Sequence, residues 1–164
     1  MISRSFNTFD CVIVQAVLEH VLEPHQCIAE IYRVLKPAGI VYGETPFMQQ
    51  VHMQEYDFTR FTHLGHRWLF KNFEEIESGI CCGPGMSFAW AYRAFLRSFA
   101  STKLSYFIIT NFARMTSFFF KYFDYFLIDR PAAYDGASGF YFIGRKSERP
   151  ITGKELIQRF RGMK

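Results

Sequence analysis

The sequence predicts an α/β fold built around a parallel sheet, on two observations. Phe9-Asp10-Cys11-Val12-Ile13-Val14 is a short, continuous apolar run, the pattern of a strand covered on both faces. Apolar residues at helical spacing (Ile28, Ile31, Leu35) then separate it from a second apolar run, Ile40-Val41-Tyr42. Strand, helix and strand joined by short links form a βαβ unit, which is right-handed and sets its strands parallel. Ligands in such sheets bind beyond the carboxyl ends of the strands. The segments after Val14 and after Tyr42 are therefore where chemistry is expected.

The remaining elements follow in order. Pro24 suits the first turn of the helix, where its missing N–H needs no partner. Lys36-Pro37-Ala38-Gly39 supplies a basic last turn, a proline and a glycine to stop that helix. The second strand ends near Glu44-Thr45-Pro46. Residues 47–67 read as a loop rich in His, Gln, Asp and Arg. A helix is expected from Trp68 to Ser78, with Leu69, Phe73 and Ile76 on one side, then a short strand at Ile80-Cys81-Cys82. Gly83-Pro84-Gly85 reads as a turn, Ser87 to about Ser101 as a helix, and 104–128 as a strongly aromatic stretch. Asp135 to Gly139 reads as flexible, Phe140 to Ile143 as a last strand, and the basic tail from Arg145 as exposed, with one short helix near 153–161.

Composition narrows the class. At 164 residues and 49% hydrophobic, the chain fills one domain core and is no disordered tail. Charge is uneven. Residues 1–88 hold six Lys/Arg against ten Asp/Glu, residues 89–130 six against two, and residues 131–164 seven against three. An acidic front and a basic, aromatic rear suggest two surfaces. The rear could face an anionic membrane, an acidic substrate or nucleic acid, or be a solvated face. Cys11, Cys27, Cys81 and Cys82 show no disulfide spacing, and Asp10 interrupts the opening apolar stretch, so no secretory signal is read. A reducing cytoplasm is expected.

The order of motifs resembles the class I S-adenosylmethionine-dependent methyltransferases of the type 11-like domain. Phe9-Asp10-x-Val12-Ile13, Val17-Leu18-Glu19-His20-Val21 and Glu30-Ile31-Tyr32-Arg33-Val34-Leu35-Lys36-Pro37-x-Gly39 are similar to that family's fourth strand, fourth helix and fifth strand. Pro46, His52 and Asp57-Phe58-Thr59-Arg60-Phe61-Thr62 are similar to a subgroup of it. The resemblance implies a partial Rossmann-like methyltransferase sheet, with strands equivalent to the fourth to seventh and the last one antiparallel. An aromatic helical insertion over about 87–130 belongs to this domain portion of residues 1–147, and 148–164 form a basic tail. The family's glycine-rich cofactor loop has no counterpart in the eight residues before Phe9, so the reading is a C-terminal portion, inactive as it stands: a fragment, a mis-called start site or a degenerate relative, for which a missing N-terminal half or partner subunit could supply the loop. Gly83-x-Gly85 does not replace that loop, because Phe88 stands where a third glycine belongs and Pro84 lacks an N–H.

The resemblance also implies site residues. The cofactor S-adenosyl-L-methionine would lie against Gln15, Ala16 and Val17, with His20 nearby. Glu44, Pro46, His52 and Arg60 would face a small-molecule acceptor of lipid or sugar type. Methyl transfer needs a base only when the acceptor is a hydroxyl or protonated amine, and His52 and Asp57 are the candidates. Asp57 and Arg60 could instead pair and fix the loop. Glu19 reads as structural. His52, His63 and His66 complete no familiar ligand spacing, so no metal is expected. Residues 104–128 carry Arg114, Lys121 and Asp124 among their aromatics, which argues against a membrane span. They fit a peripheral membrane contact, a lid over the acceptor or a packed insertion. No nucleic acid partner is expected. The alternative to an enzyme is a non-catalytic remnant that acts as a membrane-associated or partner-binding module.

Overall fold

The computed structural model describes residues 5–163. Four strands form one sheet in the order β1-β2-β4-β3: β1 (Phe9–Gln15), β2 (Leu35–Pro46), β3 (Phe73–Cys82) and β4 (Gly139–Lys146). β1 and β2 run parallel, and β4 is antiparallel to both β2 and β3. The antiparallel last strand thus stands as expected. It inserts between β2 and β3, so its amino end lies at the carboxyl ends of its neighbours.

The crossover helix α1 (Pro24–Val34) starts at the expected proline but stops before Leu35. Pro37 disfavours helical backbone at Lys36. Leu35 is fully buried as the first residue of β2 instead of the last of the helix. The sheet register jumps from Phe9–Leu35 to Cys11–Ile40, and Ala38 takes a left-handed φ of 62° within the jump. Gly39 packs here because a Cβ would meet Lys36 O at 2.9 Å.

A further expectation is corrected. The segment expected as a helix from Trp68 to Ser78 divides into helix α2 (His63–Leu69) and the long strand β3. Thr62 caps α2 by accepting from Gly65 N at 3.2 Å. The basic tail is mostly exposed. It carries helix α7 (Gly153–Gln158), and Arg159 and Arg161 return to Glu75 of β3 at 2.5 and 3.2 Å.

Val14, Leu18, Ile28, Ile31, Leu35, Val41, Leu69, Phe70, Phe73 and Phe142 make the main core. A smaller one joins Ile80, Phe140, Ala133 and Ala137, the latter two from and just after helix α6 (Pro131–Gly136), whose end takes in Asp135 and Gly136 of the run expected to be flexible. β1 is less buried than its apolar run suggests. It is an edge strand, and Ile13 is 71% exposed.

The insertion is a helical hairpin, α3 (Pro84–Arg97) and α4 (Lys103–Ser117), followed by a 3-10 turn over Phe120–Phe123 and short helix α5 (Asp124–Leu127). Arg93 Nε donates to Ser117 Oγ at 2.8 Å across the hairpin. Among the described residues no helix is long and apolar enough to cross a membrane.

Candidate functional site

The site lies where the topology directs it, at the carboxyl ends of β1 and β2. β1 ends at Gln15, and Ala16 then turns the chain with a left-handed φ of 50°. Ala16 N donates to Glu44 O at 3.2 Å, which fixes the two strand ends together. A 3-10 turn over Leu18–His20 follows, anchored by fully buried Leu18. A cavity of about 160 Å³ opens between these ends. Of the expected residues, Gln15, Ala16, Glu44, Pro46 and His52 line it. Val17, His20, Asp57 and Arg60 are not among its lining residues.

Residues not expected at the site also line the cavity: Glu19, Thr45, Gln49, Cys81, Cys82, Ser138 and Gly139. The signal for the cysteines was their place at the end of a strand. Ser138 and Gly139 could be placed only once β4 was known to lie between β2 and β3. The lining is anionic and under-bonded. Glu19 Oε2, Glu44 Oε2 and Thr45 Oγ1 are buried without hydrogen-bond partners. A bond from Cys81 holds the Cys82 thiol down at about 7, and the same pairing pushes Cys81 up.

The loop after β2 is braced from within. Arg60 clasps the Asp57 carboxylate with both terminal nitrogens, Nη2 to Oδ2 at 2.6 Å. It also donates to the carbonyls of Gln49, Gln50 and Thr59. The Asp57 side chain is fully buried, and Arg60 holds it down at about 2, well below the usual carboxylate range. Asp57 in turn accepts from His52 N at 3.0 Å and lies 3.3 Å from His52 Nδ1. His20 Nδ1 lies 2.8 Å from Tyr56 O, and Phe58 N donates to Glu19 O at 2.8 Å. These bonds tie the loop to the turn after β1. His63 and His66 belong elsewhere. His63 packs against Tyr134 and Phe140, and His66 against Phe70.

The Gly83–Gly85 turn has its helix-starting N–H groups already engaged. The N–H groups of Gly85 and Met86 donate to the Asp124 carboxylate at 2.7 and 3.0 Å. A Cβ at Gly85 would meet Phe120 O at 2.3 Å, so this glycine serves helix packing.

Residues 4–43, which span β1, α1 and most of β2, match the family model described as a methyltransferase domain. The chain carries a class I methyltransferase fold. It is similar to a chain from the complex of the Haloferax volcanii Trm112 methyltransferase activator with a methyltransferase. There the identity is 16% and the TM-score 0.52, over 93% of this chain and 60% of that one. It is also similar to a SAM-dependent methyltransferase from Archaeoglobus fulgidus, at 12% identity and TM-score 0.50, over 88% of this chain and 62% of that one. The chain thus spans about 60% of the length of these methyltransferases. No curated protein sequence matches it.

The similar Archaeoglobus fulgidus methyltransferase is dependent on SAM, S-adenosyl-L-methionine. The residues at the ends of β1 and β2 fit one edge of such a molecule. The backbone of Gln15 and Ala16 borders the cavity, and the unpartnered Glu44 oxygen suits a cationic sulfonium beside it.

Proposed function

We propose that this chain supplies the acceptor-facing side of an S-adenosyl-L-methionine-dependent methyltransferase acting on a small-molecule, lipid-linked or sugar-type acceptor. The observation that carries the reading is the convergence of Gln15, Ala16, Glu44, Pro46 and His52 on one cavity at the ends of the parallel strands. In this reading the backbone of Gln15, Ala16 and Val17, with His20 nearby, borders the cofactor. The cofactor supplies an electrophilic methyl on a sulfonium. The chain's own residues align the acceptor and exclude water. Glu44 and Pro46 border the acceptor, and His52 Nε2 takes the proton of an acceptor hydroxyl.

Asp57 then acts through His52. Its carboxylate, 3.3 Å from Nδ1, favours the ring hydrogen on that side and leaves Nε2 as the basic atom. It is not itself the base, because both its oxygens are engaged by Arg60. Arg60 fixes the loop and does not clamp the acceptor, since its guanidinium is committed to Asp57 and three carbonyls.

Transfer of a labelled methyl group to panels of sugar, lipid-linked and small hydroxyl or amine acceptors tests the reading. One class should be methylated. His52→Ala should keep cofactor binding and lower turnover by about 10²- to 10⁴-fold. Cofactor binding without transfer to any class, or full activity of His52→Ala, would overturn it.

Exposure of Phe107, Tyr125 and Phe126, at 67%, 80% and 77%, favours a second reading. With Lys103, Arg114 and Lys121 on the same insertion, residues 104–128 would rest on an anionic membrane surface. Liposomes of anionic lipid should sediment the chain in a salt-sensitive way, and its absence from the pellet removes this reading.

A further inference from the structure

Three donor atoms from two separate segments converge beside the cavity: a Glu19 carboxylate oxygen, His20 Nε2 and His52 Nε2. Glu19 Oε1 lies 3.6 Å from the first nitrogen and 3.9 Å from the second. All three donor atoms fall within 4.8 Å of one another. The Glu19 side chain is 1% exposed, and its second oxygen has no hydrogen-bond partner. A carboxylate is not stable in that position without a counter-charge or a donor.

The outer bonds of the histidines decide what faces it. His20 Nδ1 lies 2.8 Å from the Tyr56 carbonyl, which can only accept, so in the neutral ring Nδ1 carries the hydrogen. His52 Nδ1 lies 3.3 Å from Asp57, and the Arg60 clasp keeps that carboxylate an acceptor. His20 Nε2 therefore turns its lone pair toward the Glu19 oxygen, and His52 Nε2 faces the same oxygen at 3.9 Å. A lone pair and a carboxylate repel unless a cation lies between them. Imidazoles whose far nitrogens are held by a carbonyl and a carboxylate are the arrangement that orients metal-ligating histidines.

We propose that Glu19, His20 and His52 bind a divalent transition-metal cation. Two imidazoles and one carboxylate suit zinc, iron(II), cobalt(II) or manganese(II), and offer neither the thiolates of a copper(I) site nor the all-oxygen shell of magnesium or calcium. Glu19 and His52 also line the cavity, so the open coordination positions face the acceptor. Cation binding goes beyond the methyl-transfer reading. If both hold, an acceptor hydroxyl on the metal is acidified by it, and His52 serves as ligand in place of base.

The chain, stripped with chelator, is titrated with zinc and with cobalt(II) by calorimetry, with no methyl donor present. One equivalent should bind. The cobalt spectrum should show ligand-field bands without a thiolate charge-transfer band, which separates this site from Cys81 and Cys82. Glu19→Gln, His20→Ala and His52→Ala should each abolish or greatly weaken binding. Asp57→Asn, which touches no metal, should weaken it about 10- to 100-fold. His25→Ala serves as control and should change nothing. Absence of saturable binding to the folded chain overturns the proposal. So does binding that Glu19→Gln and His52→Ala leave intact, or a thiolate band. Circular dichroism confirms that each variant is folded, and the wild-type cobalt spectrum stands whether or not they fold. Because no methyl donor is used, failure here leaves the methyl-transfer reading standing.

Discussion

Replacing Gly43 by alanine tests the packing that holds β2 behind the cavity. Gly43 lies in register between Val14 and Phe142, one residue before Glu44. A Cβ there would fall 2.2 Å from Phe70 Cζ and 3.0 Å from both Cε atoms. Non-bonded carbons prefer about 3.5–4.0 Å, so the methyl group penetrates well inside contact. The ring cannot swing away. Phe70 is fully buried, stacked on Phe142 at 4.9 Å and edge-on to His66 at 5.2 Å. Either the ring or the β2 backbone must shift. Overpacking costs about 1–3 kcal/mol, and so close a contact on an immobile ring points to the upper end. In a domain of this size about 3 kcal/mol lowers Tm by roughly 6–12 °C. Thermal and urea unfolding followed by circular dichroism measure it. Phe70→Leu removes the clashing atoms, so the double variant should recover at least about 1 kcal/mol relative to the sum of the single changes. A Gly43→Ala protein with unchanged Tm, or strict additivity with Phe70→Leu, refutes the packing argument.

Two other predictions concern charge. Arg67 is 5% exposed, donates to Glu75 at 2.9 Å and to the Phe70 and Phe73 carbonyls, and lies over the Phe142 ring. Arg67→Met should cost about 1–3 kcal/mol in chemical denaturation, because it leaves the Phe70 and Phe73 carbonyls under-paired while Arg159, Arg161 and Ser78 still hold Glu75, and a loss within experimental error would contradict the network. Burial holds His63 and His66 neutral, down at about 4 and about 3 from an ordinary 6.5. The unfolded chain therefore binds protons that the folded chain refuses. Stability from these groups is complete above pH 6.5 and falls as pH drops toward 4 and 3, by up to about 1.4 kcal/mol per pH unit per histidine. Urea unfolding between pH 7.5 and 4 reads this slope, His66→Phe should flatten it, and a pH-independent midpoint over that range would count against it.

The βαβ unit was legible because its signals are local. A buried run, a helix-starting proline and a second run each lie within a few residues. The break at α2 and β3 was not legible, for a physical reason. Leu69, Phe73 and Ile76 happen to fall at helical spacing, while the strand's own alternation is disrupted by a register shift between Glu75 and Glu77. Thr62, with its side chain on Gly65 N, was the readable cue to where the helix starts. The tail's pairing with the sheet was not legible, because Glu75, which binds Arg159 and Arg161, lies more than 80 residues away in sequence.

The same distinction governs the site. Asp57 and Arg60 are three residues apart, so their pairing could be weighed from sequence alone. Glu19 and His52 are separated by 33 residues, and their approach depends on the loop being tied to the turn after β1 through Phe58, Thr59 and Tyr56. Those ties involve main-chain atoms, which leave no trace in residue identity. Glu19 therefore reads as structural in the sequence, yet a structural role is what its surroundings fail to supply. Its main-chain oxygen holds the loop, but its carboxylate, buried at 1% exposure, receives no hydrogen bond on Oε2 and faces two imidazole nitrogens. An apolar side chain of the same length would keep the main-chain contacts without the burial cost of a charge. The carboxylate makes physical sense only with a positive species beside it. The candidates are a proton shared with His20 or His52, or a metal cation bound by all three, and the cobalt spectrum separates them because a proton gives no ligand-field band.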